Sequence, residues 1–300
     1  MTRTLIGALI VGLLSLAAPA NAQDEITPAR ENVIYGMVSG AAMLMDVYTP
    51  EESNGLGVIV IPGSGWYMPE IYSVPPLKDL SQRNYIRGVV GALTDEGFTA
   101  FVINHRSSPG NRFPAAVEDT RRAVRFVRTT AAQFGIDPEH IGIIGHSSGA
   151  NLAAMAAYME DGHGTGVDPI DQQSSAVQAV VTLAAPFHLY DLDEATTYGA
   201  QTIAMYTGRP FFGLDNHYEV DAPSAVQASP ITYVDANDPP LYMVWSMDDP
   251  VVPPSQADHM IEALDAAGAP YQPVRVESGE HEPDFDHSAM TAWLEDLLGE

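Results

Sequence analysis

The sequence Gly-His-Ser-Ser-Gly at 145–149 places one serine, Ser147, where it could act as a nucleophile. An apolar run, 141–144, comes directly before these residues, and a run of small helix-compatible residues, 150–157, comes directly after them. A strand, a sharp turn and a helix form the context in which a G-x-S-x-G sequence exposes a serine hydroxyl above a sheet, while the glycines relieve crowding in the turn. The simpler alternative is a glycine-bounded turn that buries an unreactive serine.

Serine is a weak nucleophile on its own, so a catalytic Ser147 requires a base and an acid elsewhere in the chain. The turn predicts that an acidic residue follows a later strand and that a histidine comes later still. Asp249 follows the apolar run 241–245, and His281 follows the predicted strand 272–276. In this arrangement Ser147 attacks an acyl carbon, His281 takes and returns its proton, and Asp249 orients the imidazole and stabilises its charged form.

Other residues compete for the roles of acid and base. Asp248 is the alternative acid, and we prefer Asp249 because it directly precedes Pro250. His259 and His287 are alternative bases, but both fall within predicted helices, where a histidine ordinarily belongs to a solvated face.

Four acidic residues near His281 could suggest a cation site: Glu280, Glu282, Asp284 and Asp286. Their spacing is not that of a compact ligand set, so a charged surface loop is the better interpretation. We expect no metal and no cofactor.

The chemistry also needs backbone N–H groups that face the negative oxygen of a tetrahedral intermediate. The loop after the third predicted strand reads Pro-Gly-Ser-Gly-Trp at 62–66, and its small residues allow backbone to approach a substrate. We expect the donors to be the N–H groups of Ser64, Gly65 and Ser148; the alternative for 62–66 is a simple tight turn. The candidate substrate contacts are Trp66, Tyr67, His146, Phe187, Phe211 and Phe212.

Apolar segments alternate with amphipathic ones along most of the chain. The predicted strands are 33–38, 42–48, 57–61, 99–104, 141–144, 177–183, 241–245 and 272–276, and the predicted helices are 85–96, 114–134, 148–159, 254–267 and 286–298. This alternation predicts an α/β fold with an eight-stranded, mostly parallel, doubly wound sheet whose first two strands form an antiparallel edge pair. The polar stretch 161–175 is predicted to be a surface loop, and the aromatic-rich stretch 186–228 a small cap or substrate wall.

The first 22 residues are expected to be an export signal. Arg3 supplies a positive start, 5–18 is a short apolar run, and Ala-Asn-Ala at 20–22 is a cleavage sequence. A retained N-terminal anchor is the alternative. We therefore expect a periplasmic or secreted mature protein that does not span a membrane.

Length and composition limit the function further. Residues 23–300 suffice for a single α/β domain with a large core. The chain has no cysteine, which excludes disulfides, thiol nucleophiles and thiolate metal sites. Its net charge of −26 repels nucleic acid, so we expect no nucleic-acid partner.

Taken together, several segments resemble the esterases and lipases of the α/β-hydrolase superfamily, especially bacterial carboxylesterases described as BD-FAE-like or hormone-sensitive-lipase-like. The matching segments are Asp-Val-Tyr-Thr-Pro at 46–50, the loop 62–66, Phe-Pro-Ala-Ala-Val-Glu-Asp at 113–119, Gly-Ile-Asp-Pro at 135–138, the serine turn 145–149, Asp-Pro-Val-Val-Pro at 249–253 and Gly-Glu-His at 279–281. Pro62 stands where the family usually has histidine, and Ser64 where it has glycine.

The resemblance implies an α/β-hydrolase fold and a serine hydrolase that cleaves carboxylic esters of a small molecule or a polymer fragment through an acyl-enzyme. One alternative is a peptidase or amidase of the same fold. Another is a binding protein that keeps the fold without catalysis. A silent protein would ordinarily lose one of the three catalytic residues, and Ser147, Asp249 and His281 are all present.

Overall fold

A single eight-stranded sheet organises the protein. The computed structural model describes residues 26–67, 76–82, 84–161, 167–190, 197–208 and 223–299. The strands are β1 (Arg30–Val38), β2 (Ala41–Tyr48), β3 (Gly57–Ile61), β4 (Thr99–Ile103), β5 (Ile141–His146), β6 (Ala179–Leu183), β7 (Leu241–Ser246) and β8 (Tyr271–Val276), in the spatial order β1-β2-β4-β3-β5-β6-β7-β8. β2 pairs antiparallel with β1 and β4, and all other pairs are parallel. The predicted eight-stranded, mostly parallel sheet is confirmed.

Helices cover both faces of the sheet. They are α1 (Asn84–Asp95), α2 (Ala115–Phe134), α3 (Ser148–Tyr158), α4 (Thr197–Thr207), α5 (Pro223–Gln227), α6 (Ser255–Ala267) and α7 (His287–Leu298), with short 3-10 helices at Leu77–Gln82, Pro169–Gln172 and Pro230–Tyr233. Apolar side chains of α2, α3 and α6 form the core on one face, and those of α1 and α7 form the core on the other. Two covered faces explain why the central strands are continuous apolar runs.

Five of the helices lie where periodicity predicts them, whereas α4, α5 and the 3-10 helices were not predicted. α4 and α5 fall within 186–228, and the interpretation of that stretch as a cap stays a prediction. The expected export signal at 1–22 lies outside the described residues. Within the part of the chain that the structure describes, no helix is long and apolar enough to cross a membrane.

The parallel strands bring their carboxyl ends to one edge of the sheet. The turn that holds Ser147 follows β5, the loop that holds Asp249 follows β7, and the loop that holds His281 follows β8. The loop 62–66 follows β3, which lies beside β5. Open α/β sheets bind their ligands at this edge, so the topology alone gathers the candidate catalytic residues.

The only lysine of the chain, Lys78, is buried against the antiparallel side of the sheet. Its Nζ donates to Asp46 of β2 at 2.9 Å and to Asp79 at 3.0 Å. The side chains of Lys78 and Asp46 are 5% and 7% exposed, whereas that of Asp79 is 43% exposed. Burial alone would lower the pKa of Lys78, but the hydrogen bonds to the two aspartates outweigh it and raise that pKa.

We expect Asp46→Ala to lower the free energy of unfolding by about 3–5 kcal/mol, because it removes the buried partner of a buried ammonium group. Asp79→Ala is the matched control, since it removes a carboxylate from the same lysine at an exposed position. Its expected cost is less than about 1 kcal/mol. Urea denaturation measures both values. Equal losses in the two variants would show that burial does not determine the strength of this ion pair.

Arginines of α2 hold the described part of the stretch 161–175 against the helix. Arg122 donates to Asp168 at 2.7 Å and to Asp171 at 2.6 Å, and Arg128 donates to the carbonyl oxygens of Ser174 and Ala176. The expected surface loop is therefore a fixed part of the fold in its described residues, because charged side chains satisfy its backbone carbonyls.

Asp161 is the best-connected carboxylate in this stretch. It accepts hydrogen bonds from the hydroxyls of Ser174 and Ser175 at 2.7 and 2.6 Å, and from Arg125 at 3.1 Å. Partial burial raises the pKa of Asp161, but these hydrogen bonds outweigh burial and lower that pKa to about 2 from an ordinary 3.8.

Because the folded state lowers this pKa, the stabilisation is complete above about pH 4 and is lost as the pH falls through about 2. We expect Asp161→Ala to lower the melting temperature at pH 7 and to have a much smaller effect near pH 2. Asp296→Ala, at an exposed position of α7, serves as the control and should change little at either pH. A loss of the same size at pH 2 and pH 7 would contradict this account.

Candidate active site

Ser147 lies in a strained turn between β5 and α3. Its φ is 54° and its ψ is −125°, a left-handed conformation that a non-glycine residue adopts only when the surroundings enforce it. A Cβ at Gly145 would lie 2.1 Å from the carbonyl oxygen of Gly149, and a Cβ at Gly149 would lie 2.2 Å from that of Ile61. Both glycines of the turn are therefore required by close backbone approach, which the sequence pattern predicts.

Three side chains form a continuous hydrogen-bonded chain at the carboxyl edge of the sheet. His281 Nε2 lies 2.8 Å from Ser147 Oγ, and His281 Nδ1 lies 2.8 Å from Asp249 Oδ2. An ionised carboxylate only accepts, so Nδ1–H donates to Asp249 and the neutral ring presents the lone pair of Nε2 to the serine hydroxyl. This is the tautomer that a general base next to Ser147 requires.

The carboxylate of Asp249 is held from both sides. Its side chain is 3% exposed, and its Oδ1 accepts from the backbone N–H groups of Val251 and Val252 at 2.7 and 2.9 Å. The prolines on either side of these valines frame the short loop that presents the two N–H groups. The residues just after Asp249 therefore hold its carboxylate in place independently of the contact with His281.

The competing residues lie elsewhere. Asp248 Oδ1 accepts from the backbone N–H of Glu280 at 2.9 Å and is exposed. His259 lies on α6 with its Nδ1 3.4 Å from that of His188, and His287 begins α7. The structure thus brings Asp249 and His281, and none of these alternatives, into hydrogen-bond contact with each other and Ser147.

The loop 62–66 packs directly on the serine turn. A Cβ at Gly63 would lie 2.7 Å from both the carbonyl oxygen of His146 and the Cβ of Ser147. The backbone N–H of Ser64 donates to the Oγ of Ser148 at 2.9 Å. Two residues expected to supply oxyanion donors, Ser64 and Ser148, are therefore in contact. The N–H of Ser64 already donates its hydrogen bond to the Ser148 hydroxyl.

Two expected substrate contacts are corrected by the structure. Trp66 is 2% exposed, its ring stacks on Tyr206 with centroids 4.6 Å apart, and its Nε1–H donates to Asn151. Phe187 is 1% exposed within the core. Both aromatic side chains follow strand ends, where sequence reasoning expects a cleft, but their apolar rings are removed from solvent by packing.

The remaining expected substrate contacts have different settings. Tyr67 is half-buried and forms a β-bridge with Ser108. His146 is also half-buried, and its Nε2 lies 2.8 Å from the carbonyl oxygen of His281. Phe211 and Phe212 lie outside the described residues.

Asn151 is a supporting residue that sequence reasoning missed. It is fully buried on α3, four positions after Ser147, and its Nδ2 donates to the carbonyl oxygens of Pro186 and Ala228 while its Oδ1 accepts from Trp66. One side chain therefore ties three loops to α3, the helix that follows Ser147. The only signal in the sequence is a polar residue inside an otherwise apolar helix stretch.

No metal-binding cluster is found in the described ranges: no three histidine or acidic side chains there converge closely enough to hold an ion.

Comparison with known proteins identifies the family. The BD-FAE family model matches residues 45–264. The chain is 30% identical to Esterase LipQ of Mycobacterium tuberculosis over 86% of its own length and 58% of LipQ, and 27% identical to the probable carboxylic ester hydrolase LipM over 78% and 51%. It therefore spans between half and three-fifths of these curated relatives.

The solved structures agree with the family match. A truncated carbohydrate esterase from gut microbiota is 27% identical, with a TM-score of 0.76 over 93% of this chain and 99% of that one. The Thermogutta terrifontis esterase Est2, 20% identical with a TM-score of 0.65 over 91% of both chains, shares the fold. The chain belongs to the BD-FAE family and has the α/β-hydrolase fold.

Proposed function

We propose that this protein is a serine hydrolase that cleaves carboxylic esters through Ser147, His281 and Asp249. The observation that carries the proposal is the pair of 2.8 Å contacts that joins the serine hydroxyl to the imidazole and the imidazole to a buried carboxylate. The names of the relatives support the ester bond as the target, since LipQ is an esterase and the solved neighbour is a carbohydrate esterase.

The reaction proceeds in two halves. Ser147 Oγ attacks the acyl carbon while its proton passes to His281 Nε2, and the resulting tetrahedral intermediate carries a negative oxygen. The intermediate then collapses, His281 protonates the leaving alcohol oxygen, and the acyl group remains on Ser147. In the second half His281 takes a proton from water, the hydroxide attacks the acyl-enzyme, and the acid leaves as the proton returns to Ser147.

Asp249 acts through the histidine and does not exchange a proton. Its Oδ2 holds the Nδ1–H tautomer, and its charge stabilises the imidazolium that forms in each half of the reaction. The two valine N–H groups on Oδ1 keep the carboxylate oriented.

The negative oxygen is assigned to the backbone N–H groups of Ser148, Gly65 and Ser64. Ser148 begins α3, so its N–H has no partner within the helix and lies at the positive end of the helix dipole. The N–H of Ser64 donates to the Ser148 hydroxyl at 2.9 Å, so it serves as an oxyanion donor only if the substrate oxygen replaces that hydroxyl as its acceptor. One preorganised donor of this kind accounts for about a hundredfold to a thousandfold in kcat.

Hydrolysis of p-nitrophenyl acetate, butyrate and octanoate by the purified chain tests the proposed function, with an acetylated sugar as a further substrate and a p-nitroanilide as the amide counterpart. We expect turnover of the esters at least about a hundredfold faster than of the anilide. We also expect one equivalent of an organophosphonate to attach to Ser147, as mass spectrometry of peptides would show. Faster anilide turnover would favour an amidase, and absence of both turnover and labelling would favour a silent binding protein.

Export is part of the proposal and rests on the sequence of residues 1–22 alone. The mature chain is expected to begin at Gln23 in the periplasm or the medium. Intact-mass measurement of the protein from each compartment checks this, and a full-length chain that stays with the cells would contradict it.

A further inference from the structure

The loop that carries His281 has a strained backbone. This histidine loop joins β8 to α7 over residues 277–286. Gly279 has a φ of 137°, and a Cβ there would lie 2.9 Å from the backbone nitrogen of Asp284. Glu280, a non-glycine residue, has a φ of 52°. Glycine adopts such a φ freely, but a residue such as Glu280 keeps it only where surrounding contacts enforce it, so the loop needs anchors beyond its own sequence.

Two side chains at the end of β7 hold the peptide groups of Glu280. The Oγ of Ser246, which is fully buried, donates a hydrogen bond to the carbonyl oxygen of Glu280. The Oδ1 of Asp248 accepts from the backbone N–H of the same residue at 2.9 Å. The backbone C=O and N–H of Glu280, the residue before His281, are therefore both hydrogen-bonded to side chains. These side chains lie three residues and one residue before Asp249.

A third side chain comes from the nucleophile turn. His146 Nε2 lies 2.8 Å from the carbonyl oxygen of His281, and since a carbonyl only accepts, the ring donates its Nε2–H. The His146 ring contacts the rings of Tyr85 and His281, with centroid separations of 4.7 and 4.9 Å. A Cβ at Gly63 would lie 2.8 Å from its Nδ1, so this glycine leaves the space that the ring occupies.

We propose that His146, Ser246 and Asp248, which we name the loop clamp, are positioning residues for the catalytic histidine. They hydrogen-bond to backbone atoms of Glu280 and His281, and they act on the reaction through the position of the His281 ring. His281 must stay within hydrogen-bond reach of Ser147 and Asp249 together, although 134 residues separate it from the serine. The loop clamp ties the histidine loop to the turn after β5 and to the end of β7, which carry those two partners.

The inference rests on the proposed function, and it predicts a particular kinetic signature. A displacement of about 1 Å at a catalytic group reduces the rate by about a hundredfold. Loss of a clamp contact should therefore lower kcat by about 10- to 100-fold, because it displaces the base. At Asp248 we expect KM to stay within about threefold; at His146, an expected substrate contact, a change in KM would report a role in binding substrate. It should also slow phosphonylation of Ser147, which depends on the same base.

Matched variants at two positions test the clamp with little change in shape. His146→Gln keeps an N–H donor near the position of Nε2, whereas the side chain of His146→Asn is too short to reach the carbonyl. Asp248→Asn keeps the accepting Oδ1, whereas Asp248→Ala removes it. We expect His146→Gln and Asp248→Asn to stay within about fivefold of wild-type kcat. His146→Asn and Asp248→Ala should show the full loss.

Three readouts separate positioning from simple stability. Asp248 is exposed, so its variants are expected to melt near the wild-type temperature. The low-field proton resonance of His281 Nδ1–H should broaden or vanish in His146→Asn and persist in His146→Gln. Equal activity within either pair, or a loss that follows the melting temperature alone, would overturn the inference. Absence of ester turnover in the wild-type protein would instead overturn the proposed function.

Discussion

Ser147→Ala is expected to lower kcat for p-nitrophenyl ester hydrolysis by about a millionfold, the loss found when a serine hydrolase loses its nucleophile. Alanine keeps the small side chain that the strained turn accommodates, so the fold should remain intact. No acyl-enzyme forms without the hydroxyl, and water attack assisted by the oxyanion donors gives the residual rate. The measurement is steady-state hydrolysis together with labelling by an organophosphonate, which should disappear.

Ser53→Ala is the matched control for this variant. Ser53 is exposed in the loop between β2 and β3, at the end of β3 that is far from Ser147. It should keep wild-type activity and one equivalent of label. Unchanged turnover in Ser147→Ala, with the thermal melt of the wild-type protein, would exclude the proposed nucleophile.

Asp249→Asn is expected to lower kcat by about 10,000-fold while the thermal melt changes little. The amide has nearly the shape of the carboxylate, but it can donate where Oδ2 now accepts. The ring of His281 would then be favoured in the tautomer that carries hydrogen on Nε2, which cannot take the proton of Ser147.

Asp248→Asn makes the same change of charge one residue earlier. Its Oδ1 still accepts from the N–H of Glu280, so we expect a loss of no more than about fivefold. A large loss in Asp248→Asn and a small one in Asp249→Asn would reverse the assignment of the acid. These two variants therefore test which of the adjacent aspartates pairs with His281. From sequence alone, the only reason to prefer Asp249 is the proline that follows it.

Local sequence predicts most of the fold. β3 lies at Gly57–Ile61, where an apolar run predicts it, and α2 ends at Phe134 before a glycine with a φ of 69°. Both patterns depend on neighbouring residues: continuous apolar runs suit strands covered on two faces, and glycine tolerates the left-handed end of a helix. The short helices between 186 and 228 were not predicted, since they lack a long amphipathic repeat.

Residue type alone does not separate a substrate contact from a core residue in this chain. Aromatic residues after strand ends were expected to line a cleft, and the structure instead packs Trp66 on Tyr206 and buries Phe187. Apolar rings stabilise a core or a substrate pocket by the same burial of surface, so residue type does not distinguish the two. His146 shows the same limit, because its ring contacts the carbonyl of His281 and its place in the motif does not reveal that contact.

The sequence by itself determined the strand–turn–helix around Ser147 and the order of the proposed nucleophile, acid and base along the chain. These features follow from local sterics, since the turn needs its glycines, and from the rule that parallel strands end at one edge of the sheet. Only the tertiary structure decided that Asp249 and not Asp248 meets His281, and that three further side chains hold the histidine loop. Those contacts join segments that lie between 32 and 135 residues apart, and local residue patterns do not show which distant atoms meet.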